Sequence, residues 1–383
     1  MAKSTVLLRS NPVSPDPRVE RIAKWLVSSG RSCIVLGWDR LIAWPIYEVR
    51  GDYTIIRAQI KAGFGAGKRN LLPLTKWQFW LLRWLYSHRK QFDMIIAADF
   101  DTAVPAALLA KITQKHLIYD IHDYYIDSHN VPKLARNLVK RCEDLIINVA
   151  DIVLLPDECR KAQIRDTKPK SLIILYNSPA YTEVPPIKRV LGSLRIGYVG
   201  ILSVERGLLE LLEVLSLHPN WELQIAGYGA DEETIKRRLK NLSNVRFHGT
   251  VSYEFALGIY SQCDLLVATY NPHVPNHAYS SPNKLFEAMM LGKPIVVAAG
   301  THIDKVVEKH ELGFVVPYGD VNALESAMKS VAGWDTDEAD QFRGRAQIIY
   351  HEFYDEEAMK SRLLNNLPPY GRTGLDVREE NKN

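Results

Sequence analysis

Short apolar runs alternate along the chain with longer stretches whose apolar positions recur every three or four residues. In the first half the runs fall at 5–8, 33–36, 53–56, 94–97, 116–119, 152–155 and 172–175. Amphipathic stretches lie between them at 19–28, 76–88, 103–112, 133–149 and 158–165. Runs that are apolar throughout predict strands buried on both faces, and helices between them predict a parallel sheet covered on both sides. Residues 177–194, NSPAYTEVPPIKRVLGSL, break the pattern with three prolines and a glycine. They read as a linker, 179–194, between domains over 1–178 and 195–345. The alternation then restarts, with strands expected at 194–199, 222–226, 245–247, 265–268, 294–298 and 314–316 and helices at 207–217, 231–239, 282–291 and 321–331. The expected fold is α/β: two Rossmann-like doubly wound domains facing a cleft, then a helix over 346–364 and a polar tail over 372–383.

Composition narrows the function. The 383 residues are 46% hydrophobic and 24% charged with net charge +4, which excludes a disordered chain and suffices for two cores. No run of about 18 uncharged apolar residues occurs, so no membrane-spanning helix is expected. Lys3 and Arg9 precede no apolar leader segment, which makes the cytoplasm the expected address. Cys33, Cys142, Cys159 and Cys263 lie far apart without a CxxC pair and read as reduced thiols, with no metal expected. Charge is unevenly spread: the first 192 residues carry eleven more basic than acidic side chains, the remainder seven more acidic than basic. A basic half suits an anionic partner such as a phospholipid surface, a lipid phosphate or an acidic glycan. No nucleic-acid motif accompanies the charge, and no nucleic acid is expected as a partner.

In open α/β sheets ligands bind beyond the carboxyl ends of strands, so the loops there are where chemistry is expected. After the first strand, RSNPVSPDPRVERIAKWL places Asp16 to cap a helix with Pro17 in its first turn. That helix start either serves as an ordinary cap or holds an anion. It lacks the G-x-G-x-x-G of a dinucleotide-binding turn, which argues against a nicotinamide-dependent dehydrogenase. Asp99-Phe100-Asp101 is a DxD pair, for which capping of the next helix by Asp101 or Thr102 is the simpler account. In YDIHDYYID, His122 is flanked by Asp120 and Asp123. It is either a packed histidine or one oriented for hydrogen bonding or proton transfer.

In the second half a strand ends at Gly200, and Glu205-Arg206-Gly207 opens a helix. A glycine lets backbone approach a phosphate, and an arginine at a helix start offers it a fork of donors. Gly227 and Gly229 form a second glycine turn. The segment YSSPNKLFEAMMLGKPIVVAAG starts a helix at Ser280, Ser281 and Pro282, carries Lys284 and Glu287 three apart, and ends at Gly292. A helix start with a lysine suits a diphosphate, and a carboxylate one turn in suits both hydroxyls of a ribose.

At these residues the chain resembles the family-4-type glycosyltransferases of the GT-B fold, which transfer sugar from a nucleotide diphosphate sugar with retention. The resemblance covers nearly all of 5–363 and is most specific in SPNKLFEAMMLGKPIVV, with weaker support from SPDPRVERIAKWL, YDIHDYY, GILSVERG and LYNSP. It implies two Rossmann-like domains, with the donor held mainly by the second and YHEFYDEEAMKSRLL forming the helix that returns to the first. It implies that Glu287 binds the donor ribose as the second acid of an E-x7-E motif, and that Arg206 and the Gly200 loop meet the diphosphate. Ser280, Ser281, Asn283 and Lys284 would hold phosphate and sugar hydroxyls, and His122 would reach the transferred sugar. Gly207 and Gly227 belong to the same expected donor seat. Two positions depart from the family. The first acid of E-x7-E falls on Tyr279, and an arginine expected after the loop glycine falls on Ile201. Lys284 is expected to supply that missing charge. No cofactor or metal is implied beyond the donor itself, whose diphosphate would act as base while the acceptor hydroxyl attacks from the same face.

The expected function is transfer of a hexosyl group to a glycan or lipid-linked acceptor in cell-surface polysaccharide or glycoconjugate synthesis. The alternatives are a catalytically silent nucleotide-sugar-binding partner and a nucleotide-sugar 2-epimerase. Between Tyr53 and Phe92 eight Lys or Arg occur and no acid. Trp77, Trp80 and Trp84 share one helical face there, flanked by Lys76, Arg83, Arg89 and Lys90. Either this is a core helix with a basic rim, or residues 61–90 touch an anionic membrane at its inner face.

Overall fold

Most of the runs that are apolar at every position become strands buried on both faces; the edge run 314–316 stays half-buried. In the computed structural model, which describes residues 4–63, 67–129, 131–185 and 187–369, Val6, Leu7 and Leu8 of the first strand are at most 1% exposed. The chain divides into two compact units: Tyr176–Met359 form one, and residues up to Leu175 together with those from Lys360 onward form the other.

Among the described residues, the first unit has strands β1 (Ser4–Arg9), β2 (Cys33–Asp39), β3 (Tyr47–Arg50), β4 (Tyr53–Gln59), β5 (Phe92–Ala98), β6 (His116–Asp120), β7 (Ile152–Leu155) and β8 (Leu172–Ile174). They lie in the order β3-β4-β2-β1-β5-β6-β7-β8 and pair in parallel, except that β3 runs antiparallel to β4 at the edge. Strand order reverses between β1 and β5, so their carboxyl ends frame a crevice. The second unit has β9 (Leu194–Val199), β10 (Trp221–Ala226), β11 (Val245–Phe247), β12 (Leu265–Ala268), β13 (Ile295–Ala298) and β14 (Gly313–Val316) in the order β11-β10-β9-β12-β13-β14, all parallel. Its reversal falls between β9 and β12. Apolar cores cover both faces of this sheet, one around Leu211, Val214 and Met328, the other around Phe286, Met289 and Tyr350.

The structure adds one strand, corrects two local expectations and favours the core-helix alternative for the tryptophan segment. Edge strand β3 was not foreseen; its half-exposed YEVR alternates rather than running apolar throughout. The helix after β5 starts at Phe100 with Asp99 at its cap position, so neither Asp101 nor Thr102 caps it, and the Thr102 hydroxyl donates to Ala98 O instead. The tryptophan face of helix Leu71–Ser87 turns inward: Trp77 is fully buried, stacks on Trp38 and Trp80, and donates from Nε1 to Ser10 Oγ at 3.1 Å. The returning segment is shorter than 346–364. Helix Thr336–Phe353 stays with the second unit, and residues from Lys360 onward join the first. There Arg362 donates to Ile174 O and Arg31 donates to Pro368 O. The polar tail expected over 372–383 lies outside the described residues, as do residues 64–66 of the basic segment.

Candidate functional site

In the first unit the ends of β1, β5 and β6 carry one continuous charged network. Asp16 caps helix Pro17–Ser28 through Val19 N, and Pro17 opens that helix as expected. Arg9, at the end of β1, bonds both Asp16 (2.8 Å) and Asp99. Asp99 sits in left-handed backbone (φ 67), a strain of order 1–3 kcal/mol for a non-glycine residue. Its carboxylate accepts from the backbone N–H of His122 (3.0 Å) and of Asp123 (3.2 Å). The acid of the DxD pair that matters here is therefore Asp99, which staples down the loop carrying His122.

That histidine is held a second time. Its Nε2 lies 2.9 Å from Asp120, which takes a forked pair of bonds from buried Arg18 at 2.6–3.2 Å. Arg18 also donates to Leu175 O at 2.6 Å. Burial alone would raise the Asp120 carboxyl, yet Arg18 and His122 hold it well below the ordinary carboxylate range. A locked carboxylate fixes the imidazole's orientation and favours a proton on the nitrogen that faces it. Arg9 and Arg18 carry no sign of this role in the sequence, and Asp99 reads there only as half of a DxD pair; their shared signal is position, just beyond or beside the ends of buried strands.

In the second unit three loops converge beyond β9, β10 and β12. Gly227 packs so tightly on the Gly200 loop that a Cβ there would lie 1.8 Å from Gly200 O. Gly207, at φ 68, abuts Thr269, whose Oγ1 would meet a Cβ at 2.2 Å. These two glycines let protein approach protein. Over Gly200 itself the space is open, with the Tyr198 hydroxyl nearest at 3.8 Å.

Arg206 projects beside this opening. Its guanidinium lies 4.7 Å over the Tyr270 ring, and its charge works against the rise that burial imposes on the Tyr198 and Tyr270 hydroxyls. Lys284 does not stand free in place of the missing arginine at Ile201. It is buried, donates from Nζ to Val267 O at 2.7 Å, and sits 3.7 Å over the Tyr198 ring. Burial, then the nearby Arg206 charge, lowers its ammonium well below the usual lysine value, while Glu287 opposes the shift. Tyr198 and Tyr270, which hold the two cations, were not picked out from the sequence, where they read as apolar filling.

Helix Asn283–Leu291 starts after Pro282 with no side-chain cap and no acid in its first turn. Its orphan amides and dipole favour an anion. Ser281 is buried, and Ser280 and Asn283 flank it at the same helix start, half-buried. Glu287 lies one turn in and is 4% exposed. Burial raises the hydroxyls of Tyr260 and Tyr270; the Glu287 charge raises both further, at Tyr270 against the larger opposing charge of Arg206. Tyr260 in turn clamps Val199 at the end of β9, accepting from its N–H and donating to its C=O at 3.0 Å each. Glu287, Arg206 and Lys284 therefore gather around one tyrosine-lined floor.

Two parallel doubly wound units, each with a polar cluster at its strand-order reversal, define the GT-B class. Residues 15–171 match the family described as "Glycosyl transferase 4-like domain" and residues 193–333 the family described as "Glycosyl transferases group 1". The chain belongs to these GT-B glycosyltransferases. It is 24% identical over 241 residues to an uncharacterized glycosyltransferase of Haemophilus influenzae, covering 61% of this chain and 65% of that relative. In fold it is similar to sucrose-phosphate synthase from Thermosynechococcus elongatus (TM-score 0.75, 17% identity, covering 95% of this chain and 98% of the other). It is likewise similar to HepE of Anabaena, solved with UDP and glucose (TM-score 0.69, 16% identity, covering 95% and 98%).

Proposed function

We propose that the protein is a retaining hexosyltransferase that takes a nucleotide diphosphate sugar in its second unit and passes the sugar to a glycan or lipid-linked acceptor. The observation that carries the reading is Glu287, buried one turn inside a helix whose uncapped start lies in the same unit as Arg206 and the open Gly200 loop. A carboxylate has lone pairs enough to accept from two neighbouring hydroxyls at once, and the two hydroxyls of a ribose are a matched pair for it. Arg206 and the amides from Asn283 then supply positive potential for the diphosphate. The UDP carried by the Anabaena neighbour supports a donor of this class.

Chemically, the seat does most of its work on the leaving group. Charge grows on the diphosphate as the glycosidic bond breaks, and fixed donors aimed there lower the barrier without reorganising. His122, its Nε2–H committed to Asp120 and its backbone held by Asp99, is preorganised to accept a hydrogen bond at Nδ1 from a hydroxyl of the transferred sugar. The diphosphate takes the proton of the attacking acceptor hydroxyl, so no residue of the chain needs to become a nucleophile. This account calls for no metal, and transfer is expected to persist in a chelator. The setting is cell-surface polysaccharide or glycoconjugate synthesis at the cytoplasmic side.

A second reading rests on Tyr279 and Ile201: the family's acid and arginine are both gone, so the protein would bind a nucleotide sugar silently for an active partner. Purified protein incubated with a panel of nucleotide sugars separates the cases. Release of nucleotide diphosphate with retained anomeric configuration supports the transferase. Binding without turnover supports the silent partner, and conversion of one nucleotide sugar to its 2-epimer supports an epimerase.

A further inference from the structure

We propose that the outward faces of three neighbouring helices in the first unit form a docking surface for an anionic phospholipid bilayer. The helices are Leu71–Ser87, Phe100–Thr113 and Lys133–Val149. The chain steps in one direction through β5, β6 and β7, and right-handed crossovers put all three helices on one face of the sheet. Phe100–Thr113 packs between the other two.

Each helix exposes an apolar stripe with a cation set into it at helical spacing. On the first the stripe is Leu72, Lys76, Phe79, Arg83 and Tyr86, all exposed, with Phe79 69% open to solvent. On the second it is Val104, Leu108, Lys111 and Ile112. On the third it is Leu134, Leu138, Arg141, Leu145 and Val149, with Leu134 wholly exposed. Side chains three and four apart share a helix face, so cations and apolar groups point the same way. Tyr86, Arg89, Lys90, Ile112, Thr113 and Lys115 frame a groove of about 500 Å³ where the first two helices end. Its cations suit a phosphate headgroup.

The acids of these helices avoid this face. They are Asp101, Glu143 and Asp144, and none is exposed: Glu143 is buried and Asp144 is paired with Lys140 at 2.8 Å. That one-sidedness selects the occupant. A second copy would set cation against cation, which disfavours association. An anionic bilayer offers both an apolar layer for the stripes and negative charge for the cations. The inward tryptophans are the scaffold of this surface, and its contact residues are Leu72, Phe79 and Tyr86. Docking here would bring the enzyme to a lipid-linked acceptor. To that extent the inference builds on the proposed function, but its test reads binding alone.

The test is co-sedimentation of the full chain with vesicles of phosphatidylcholine alone or with about a third phosphatidylglycerol, at low and high salt. The expected result is binding to the anionic vesicles only, lost at high salt. The triple variant Lys76→Gln, Arg83→Gln, Lys111→Gln should bind about 100-fold more weakly, at about tenfold per 1.4 kcal/mol and about 1 kcal/mol per cation. Phe79→Ser with Leu108→Ser should also weaken binding. Arg237→Gln, Arg238→Gln, Lys240→Gln, three exposed cations of the second unit, should not. No binding by the wild type, unchanged binding by the first triple variant, or a dimer in solution that Phe79→Ser dissolves would each overturn the proposal. Nucleotide-sugar binding measured on the same samples keeps the two readings apart. Donor binding without vesicle binding refutes the docking surface only, and vesicle binding without donor binding refutes the transferase only.

Discussion

Replacing Asp120 with asparagine tests the network that holds His122. The change keeps shape and one acceptor but removes the charge that Arg18 faces in a site where both are buried. Removing one partner of a buried ion pair costs about 3–5 kcal/mol, because the other charge is left uncompensated. The surviving amide oxygen and the bond from Arg18 to Leu175 O argue for the lower figure, about 3 kcal/mol. For a unit of this size 1 kcal/mol moves Tm by about 2–4 °C, so a fall of about 6–12 °C is expected by calorimetry or thermal circular dichroism. The pH dependence has a fixed sign. Asp120's carboxyl is held below its unfolded value of about 3.9, so the pair's stability is present above that value and is lost as pH falls through the folded one. The gap between wild type and Asp120→Asn should therefore be constant from about pH 5 to 8 and close only below about pH 4. A Tm change under about 2 °C at neutral pH would refute the claim that the charge, rather than packing, holds this loop.

Three further outcomes are expected. Gly227→Ala forces a Cβ against Gly200 O and strains a φ of 136°, so it should destabilise the second unit by at least about 1–3 kcal/mol in urea unfolding, whereas Gly258→Ala, which meets nothing within 4 Å, should be neutral or mildly stabilising. Burial raises the Glu143 carboxyl to about 8, so the stability of the folded protein should drain away as pH climbs from the ordinary carboxyl range to about 8, and Glu143→Gln should flatten that slope in a Tm-against-pH series; equal slopes would contradict it. His122→Ala should lower kcat by roughly 100-fold or more while leaving donor Kd nearly unchanged, and a wild-type rate would remove His122 from the site.

Much of this was legible in the chain because parallel sheets write a strong signal. Runs such as VLL in β1 and IVV in β13 have no polar alternation, and they become strands buried on both faces. The half-exposed YEVR of β3 could not stand out in that way, since an edge strand pairs on one side only and needs no apolar run. Helical spacing showed that three tryptophans share a face, but spacing does not say which side of a helix faces the sheet. Trp38 and Ser10, distant in sequence, decide that by receiving Trp77. The proposed donor seat around Glu287 and Arg206 rests on a helix start and a glycine turn, which are local features and so visible in the sequence. The staple on His122 could not, because Arg9, Arg18, Asp99 and Asp120 come from separate strand ends and a helix, and meet only through sheet order. Lys284 reads in the sequence as a residue for the diphosphate; that its ammonium lies 3.7 Å over the Tyr198 ring is set by β9, a strand far earlier in the chain, and has no local signal.

The central claim is that the second unit seats a nucleotide diphosphate sugar through Glu287. The most direct measurement is a thermal-shift panel of nucleotide diphosphates and nucleotide sugars on wild type and Glu287→Ala. A ligand at 100 times its Kd adds about 2.7 kcal/mol, or about 5–10 °C for a unit of this size. Loss of the carboxylate should cost about 1.5–3 kcal/mol of donor affinity, roughly 10- to 150-fold in Kd. The account predicts that at least one nucleotide diphosphate sugar stabilises the wild type and that the gain largely disappears in Glu287→Ala. An equal shift in both proteins, or no stabilisation of the wild type by any nucleotide sugar, would contradict it.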